Sequence, residues 1–225
     1  MRDLAEACRR HGLTWGIYLS PADIHEHLPG GSFANGSPSV TTTIPTLVPG
    51  DNRSPSQFFT YSLDDYNRYF VNQLYELLTE YGPVHELWFD GAPAVSGQPF
   101  NRAAWFDIIH RLQPDAVIFH GDIRWNGNES GVSRESEWSV TPLPNDPRTI
   151  WSGDLTDQDL GSRGKVFESG MNWLYWYPAE ADVSLHGGWF YHPGEGPKSL
   201  SHLMDIYYQS VGRNSVLLLL SLIHI

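Results

Sequence analysis

Apolar and polar residues follow two periods along the first half of the chain, and these periods predict helices and strands in turn. Residues 2–11 have the composition of a helix that ends at Gly12, and the apolar run of residues 14–20 predicts a buried strand. A second helix is predicted to start at Ser62, because Asp65 completes a pattern close to a capping box. Its apolar residues recur at helical spacing, namely Tyr66, Phe70, Leu74, Leu77, Leu78 and Tyr81.

The alternation continues beyond this helix, which Gly82 and Pro83 are predicted to end. Residues 85–90 predict a strand, and residues 116–119 predict another after a helix that stops before Pro114. Each helix-plus-strand unit is about 30 residues long, which is typical of βα units on a parallel sheet. The helix before Pro114 carries the apolar residues Trp105, Ile108, Ile109 and Leu112.

Two regions interrupt this pattern. Residues 21–60 are rich in Gly, Pro, Ser and Thr, which predicts a long loop. The periodicity is also weak over residues 122–197, which are rich in Trp, Gly and Pro. It resumes with a helix over residues 198–211 and an apolar strand over residues 215–219.

Composition and charge restrict the function. The 225 residues are 40% hydrophobic and 18% charged, as in a folded protein, and their net charge of −12 repels nucleic acid. No basic amphipathic helix suggests binding to a membrane surface, and the single cysteine, Cys8, excludes an internal disulfide. Aromatic residues are abundant, with 9 Trp, 11 Tyr and 10 Phe, which suits either core packing or stacking on sugar rings.

Catalytic residues of parallel α/β folds lie at the carboxyl ends of the strands, which here are Ser20, Asp90 and His120. Asp90 is the strongest candidate, because it directly follows an apolar strand where an unused carboxylate is costly to desolvate. The structural alternative is an aspartate that caps a helix or braces a loop.

A second carboxylate is expected from a neighbouring strand end. Glu129, Glu135 and Glu137 all follow the strand of residues 116–119, and sequence spacing does not choose among them. Two carboxylates about 5–5.5 Å apart perform double displacement at an anomeric carbon. Each glutamate could instead bridge to a nearby arginine.

A rival candidate is a metal site at His25 and His27, because alternate residues of an extended segment point the same way. The chain has no nucleophile-elbow, Walker or dinucleotide-binding motif, so serine hydrolysis, phosphoryl transfer and dinucleotide binding lack support. A metal-dependent hydrolase using the two histidines remains the alternative.

Several segments strongly resemble the bacterial α-L-fucosidases of glycoside hydrolase family 29. They occur in the family's order and nearly span the chain: residues 15–21 (WGIYLSP), 86–92 (ELWFDGA), 124–129 (RWNGNE), 137–139 (EWS), 176–184 (WYPAEADVS), 188–193 (GWFYHP) and 211–219 (VGRNSVLLL). The resemblance implies a retaining glycosidase on a (β/α)8-like barrel. It implies no cofactor and no bound metal.

The resemblance also implies roles for individual residues. Asp90 matches the nucleophile of the family and Trp88 an aromatic residue that lines the fucose pocket. Glu129 matches the acid/base, with Glu135 and Glu137 as alternatives. Further sugar contacts are expected at Tyr18, Arg124 and Trp173.

The implied partner is a fucosylated oligosaccharide or glycoconjugate, with neither nucleic acid nor membrane. The Trp-x-Gly-Asn-Glu motif is similar to that of enzymes that prefer α-1,3/1,4 linkages in Lewis-type glycans. Such enzymes commonly need a neighbouring galactose, which residues 173–189 could contact. The resemblance implies a periplasmic or extracellular location. A sugar-binding homologue without activity is the alternative function.

The chain departs from the family in lacking the histidine motifs of the first barrel strands and the usual C-terminal β-sandwich. We therefore expect residues 1–219 to form an incomplete catalytic barrel without its first strands. Residues 220–225 resemble a translated DNA-library adapter, and we expect them to be a non-native tail. A barrel without its first strands cannot close, so we expect residues 1–225 alone to be unstable or inactive.

Overall fold

A computed structural model of the chain describes residues 1–21, 23, 37–52, 54–90, 99–135, 137–144, 164 and 167–221. The chain divides into two compact units, Met1–Ile118 and Phe119–Ile225. Among the described residues, no helix has the length and apolar character needed to cross a membrane.

The first unit alternates helices and strands largely as the apolar periods predict. Its elements in chain order are α1 (Arg2–Arg10), β1 (Gly16–Tyr18), β2 (Val40–Ile44), β3 (Phe59–Leu63), α2 (Asp65–Thr79), β4 (Glu86–Trp88), α3 (Arg102–Leu112) and β5 (Val117–Phe119). Strands β1, β4 and β5 form a sheet in the order β1-β4-β5, with β1 and β4 parallel. The predicted α/β class is therefore confirmed for this part of the chain.

The long loop predicted over residues 21–60 contains one strand and the start of another within its described part, at residues 40–44 and 59–60. Strands β2 and β3 lie there and pair as an antiparallel ribbon, with Val40 opposite Leu63 and Ile44 opposite Phe59. The β-branched residues of β2 suit a strand, and Ile44 and Phe59 are buried in the core of the first unit. The abundance of Thr and Pro around these strands concealed the pattern.

Helix α2 begins at Asp65, three residues later than the predicted start, because Ser62 belongs to β3. Its N-cap is Asp64, whose carboxylate accepts a hydrogen bond from the backbone N–H of Asn67 at 2.7 Å. The apolar face of the helix is buried as predicted, and Phe70 packs against Trp105 of α3 with ring centroids 4.3 Å apart. These two helices therefore form the apolar layer on which the strand leading to Asp90 packs.

The second unit contains more β structure than the weak periodicity of residues 122–197 suggests. Its elements are β6 (Arg124–Trp125), β7 (Val140–Leu143), β8 (Trp173–Trp176), β9 (Ala179–Ser184), α4 (Leu200–Ser210), a short 3₁₀ turn (Val211–Arg213) and β10 (Val216–Leu220). Strand β9 is central, with β6 and β10 parallel to it on either side. Strands β7 and β8 form a separate antiparallel ribbon.

Every residue of β9 is buried, including Glu180 and Asp182. These carboxylates alternate with Ala179, Ala181 and Val183, a period of two that is typical of a strand but is short and lies within a region of weak periodicity. The helix and strand predicted at the end of the chain are confirmed as α4 and β10. Helix α4 begins after Ser199, whose hydroxyl accepts a hydrogen bond from the N–H of His202 at 3.2 Å.

Candidate functional site

Tyr18 and Trp88 lie side by side where β1 and β4 end. The two residues are direct partners in the parallel register, and their rings stack with centroids 5.6 Å apart and an interplanar angle of 16°. The backbone pairing continues past them, because the N–H of Leu19 donates to the carbonyl of Trp88 at 2.9 Å. The carboxyl edge of the sheet thus presents an aromatic pair, of which Tyr18 is the more exposed member.

Burial of Phe89 determines the direction in which Asp90 points. Leu87 and Phe89 are buried, and the Phe89 ring lies 5.8 Å from Trp105 and 6.1 Å from Phe70, centroid to centroid. Successive side chains of an extended chain point to opposite faces. Asp90 therefore lies on the half-exposed side with Trp88, away from the helices.

Asp90 accepts a hydrogen bond from Tyr18, whose hydroxyl lies 2.5 Å from Oδ2. Partial burial, together with this hydrogen bond and the charge of Asp90, raises the pKa of Tyr18 to about 12. The phenol is therefore protonated at neutral pH and remains a donor to the carboxylate. Tyr18, Trp88 and Asp90, which the sequence analysis named separately, form one cluster.

Glu129 lies on a loop that asparagine side chains hold in shape. Asn128 Oδ1 accepts from the N–H of Ser130 at 3.1 Å and from its hydroxyl at 2.6 Å, and Asn128 Nδ2 donates to the carbonyl of Val132 at 2.7 Å. Asn126 Nδ2 donates to the same carbonyl at 3.1 Å. The side chain of Glu129 lies outside this network and is exposed.

Gly131 lets the loop pack closely on the elements beneath it. Its φ is +73°, and a Cβ there would lie 2.7 Å from Cγ2 of Ile206 and 3.3 Å from Cγ1 of Val183. Only glycine combines this backbone conformation with so little space. The loop that carries Glu129 therefore rests directly on α4 and β9.

The carboxylate of Glu129 accepts a hydrogen bond from a tryptophan of the same unit. Trp189 donates its indole Nε1–H to Oε2 of Glu129 at 2.9 Å. A neutral donor orients a carboxylate without neutralising its charge. Glu129 is thus both exposed and oriented, as a group that exchanges protons with a ligand must be.

Arg124 and Glu137 form a buried ion pair. Their side chains are only 8% and 2% exposed, and Nη2 of Arg124 donates to Oε1 of Glu137. Arg124 also donates to the carbonyls of Tyr177 at 3.1 Å and Trp138 at 3.2 Å. These contacts give both residues a structural role in holding β6 to the segment that precedes β7.

The other predicted residues are less constrained. Glu135 is exposed, and Trp173 is exposed on β8 opposite Leu143. His25 and His27 lie outside the described residues. Within the described ranges, no group of three metal-ligating side chains is close enough to hold a metal ion.

Removing the carboxylate of Glu137 is expected to destabilise the protein strongly. Glu137→Ala leaves the guanidinium of Arg124 buried without its counter-ion, which costs about 3–5 kcal/mol of the free energy of unfolding. Urea denaturation followed by circular dichroism measures the loss. Glu135→Ala, two residues away and exposed, is the matched control and should change stability by less than about 0.5 kcal/mol. Equal stability of the two variants would contradict a structural role for Glu137.

Asp182 and Trp189 make hydrogen bonds at or near the loop of Glu129 that the sequence did not reveal. Oδ1 of the buried Asp182 accepts a 2.6 Å hydrogen bond from Nε1 of Trp125, which lies next to the Glu129 loop. The available signal was the alternation of Glu180 and Asp182 with small apolar residues. Charged residues in such an alternation within a strand suggest one face lined with carboxylates.

Each unit thus presents one of the predicted carboxylates: Asp90 accepts a hydrogen bond from a tyrosine beside an aromatic pair, and Glu129 is exposed on a loop. A model of the α-L-fucosidase family matches residues 1–220. The chain belongs to the α-L-fucosidase family. This membership makes it a chain of glycoside hydrolase family 29, as the motifs indicated.

Relatives of this fucosidase-family chain occur in plants and bacteria. It is 35% identical over 222 residues to α-L-fucosidase 1 of Arabidopsis thaliana, covering 96% of this chain and 36% of that protein. A candidate α-L-fucosidase from Bacteroides ovatus is 39% identical with a TM-score of 0.66, over 97% of this chain and 34% of that chain. A fucosidase of the same family from Ruminococcus gnavus, solved in complex with fucose, is 30% identical with a TM-score of 0.66, over 97% and 42%.

These comparisons establish the family and an α/β fold that matches part of solved fucosidase structures. The chain spans about a third of the length of the Arabidopsis relative, 36%. Members from plants and bacteria match it at similar identity, so these comparisons establish the family but not a bacterial origin.

Proposed function

We propose that the protein containing this chain is a retaining α-L-fucosidase, with Asp90 as nucleophile and Glu129 as acid/base. The carboxylate of Asp90 attacks the anomeric carbon of fucose while the glycosidic C–O bond breaks and Glu129 protonates the leaving oxygen. Glu129 then removes a proton from water, which attacks the fucosyl ester, releases fucose and restores both carboxyl groups. No cofactor takes part.

The observation that carries this proposal is the hydrogen bond from Tyr18 to Asp90. Asp90 lies in residues 86–92, the segment that resembles the nucleophile segment of the family. A protonated phenol fixes one carboxylate oxygen, which leaves the other to attack. The stacked rings of Tyr18 and Trp88 give the sugar an apolar surface beside that carboxylate. This arrangement supports a role for both aromatic residues in fucose binding.

Burial favours Glu129 over Glu137, and the resemblance favours it over Glu135. Glu137 is held in a buried ion pair, so protonating it would leave Arg124 without a counter-ion. Glu129 is exposed on a rigid loop and bonded to a neutral indole donor. Glu135 is exposed too, but it lies outside the segment that resembles the family's acid/base motif.

We further propose an α-1,3/1,4-linked fucose in a Lewis-type glycan as the substrate. The support is the Trp125-Asn126-Gly127-Asn128-Glu129 segment and the exposed Trp173, which offers a face to a neighbouring sugar. The parallel pairing of β1 with β4, and of β9 with β6 and β10, supports membership of a (β/α)8-like barrel.

The experiment is fucose release from a Lewis-type trisaccharide by the protein, expressed with any coding sequence that flanks residues 1–225. We expect release, and proton NMR should show that the first-formed fucose keeps the α configuration. Added chelator should leave the rate unchanged, because the two-carboxylate mechanism uses no metal. β-Fucose as the first product would refute double displacement.

Two other outcomes would favour the alternative functions. Binding of fucose without release, from either the trisaccharide or an aryl fucoside, would indicate a sugar-binding homologue. Loss of activity in chelator would favour the metal-dependent hydrolase at His25 and His27.

A further inference from the structure

Lys198 occupies a half-buried position at the end of the loop that carries Trp189. Its ammonium donates to the carbonyl of Ser184 at 2.5 Å, to the Ser184 hydroxyl at 3.2 Å and to the carbonyl of His186. A lysine ammonium has three protons to donate, and here each has an oxygen acceptor. The Ser184 hydroxyl in turn donates to the carbonyl of His186 at 2.9 Å.

These bonds join the two ends of residues 185–198, a segment called here the 185–198 loop. The joined ends are its neck. The backbone N–H of Lys198 donates to the carbonyl of Leu185 at 2.8 Å, so main chain and side chain of the same residue join both ends. The N–H of Leu185 donates to the carbonyl of Leu220 at 2.7 Å, which fixes that end to β10. The other end continues directly into the N-cap of α4 at Ser199.

Within the described ranges, the only hydrogen-bond partner of the Glu129 carboxylate belongs to the 185–198 loop. Trp189 lies near the middle of the loop, and its indole bonds Glu129 at 2.9 Å. The loop has no helix or strand of its own. Its neck therefore limits how far the indole can move from the carboxylate.

We propose that Lys198 is a positioning residue for Glu129, acting through the neck of the 185–198 loop and through Trp189. The inference rests on the proposed role of Glu129. Lys198 itself touches neither the substrate nor the carboxylate. Its contribution is to hold the Trp189 indole where it orients the acid that protonates the leaving oxygen.

The first test does not depend on activity. With ¹⁵N-labelled tryptophan, NMR measures hydrogen exchange at the Trp189 indole, whose signal is assigned from its absence in Trp189→Phe. Lys198→Met keeps an unbranched side chain of nearly the same length but removes the donors, and should speed this exchange at least about tenfold. Lys198→Arg should restore much of the protection, and Glu195→Gln, on the exposed side of the same loop, should not alter it.

A second variant keeps the test decisive if Lys198→Met does not fold. Ser184→Ala removes one of the three acceptors and leaves both carbonyls, so it should produce a smaller acceleration of the same kind. Exchange at wild-type rate in either folded variant would overturn the proposal.

The second test compares leaving groups. Lys198→Met should reduce kcat/KM for a fucosylated sugar, whose leaving oxygen needs protonation, by about tenfold or more. It should leave kcat/KM for α-fucosyl fluoride within about twofold, because fluoride departs with little help from the acid. An equal loss on both substrates would show a merely structural role and overturn the proposal.

The two proposals fail in different ways. If Glu129→Ala shows no dependence on the leaving group, the acid/base assignment of Glu129 is wrong whatever Lys198 does. If Glu129→Ala shows that dependence while Lys198→Met leaves indole exchange unchanged, only the positioning role of Lys198 is wrong.

Discussion

Asp90→Ala is expected to abolish fucose release, lowering kcat at least about a thousandfold for trisaccharide and aryl fucoside alike. Without the carboxylate no fucosyl ester forms, so no choice of leaving group restores the rate. Steady-state release of fucose measures the loss. Added azide should partly restore turnover and yield β-fucosyl azide, because the small anion attacks from the side that the carboxylate occupied.

The structure supplies a matched control for this substitution. Asp107 on α3 accepts a hydrogen bond from Tyr61 on β3 at 2.7 Å, so the first unit contains a second tyrosine–aspartate pair on elements other than β1 and β4. Burial and the bond to Asp107 also raise the pKa of Tyr61. Asp107→Ala should keep activity within about twofold. Activity that survives Asp90→Ala would refute the nucleophile assignment.

Glu129→Ala is expected to slow both the formation and the hydrolysis of the fucosyl ester, and the leaving group decides which step limits the rate. Release from a trisaccharide should fall about 10²–10⁴-fold, because the sugar leaving oxygen departs without a proton. Release from α-fucosyl fluoride should be limited by hydrolysis of the fucosyl ester, which also lacks its base. Azide needs no base and should therefore accelerate turnover, giving α-fucosyl azide.

The alternative glutamates provide the controls for this result. Glu135→Ala should keep both activities, since Glu135 is exposed and lies outside the Glu129 loop. Glu137→Ala should lower the stability of the fold, while the protein that remains folded should keep its catalytic activity. If azide rescue occurs in Glu135→Ala and not in Glu129→Ala, the acid/base is Glu135.

The sequence predicted the parts of this fold that rest on apolar periodicity. Helix α2 and strand β4 follow from regularly spaced apolar residues, and Phe89 explains why Asp90 is the residue presented at the strand end. Trp88 and Tyr18 were named from resemblance alone. Their stacking and the bond from Tyr18 to Asp90 depend on the β1–β4 register, which the sequence does not specify.

The parts of the fold that the sequence did not predict are stabilised by polar contacts between side chains. Strand β9 carries Glu180 and Asp182 in a buried position, where the hydrogen bond to Trp125 replaces water at Asp182. The choice between Glu129 and Glu137 depends on which of them Arg124 pairs with. The burial of Asp182 and the burial of Glu137 both follow from long-range pairings between side chains, which local propensity does not predict.

The close approach of Gly131 to Ile206 has a consequence for engineering this enzyme family. A library that varies the Glu129 loop to accept other aglycones must keep Gly131, because any larger residue would push the loop off α4. Diversity is better placed at Ser130, which is exposed. A change of packing at the buried Ile206 would reach the loop from beneath, so the position of the loop can also be altered from within the core.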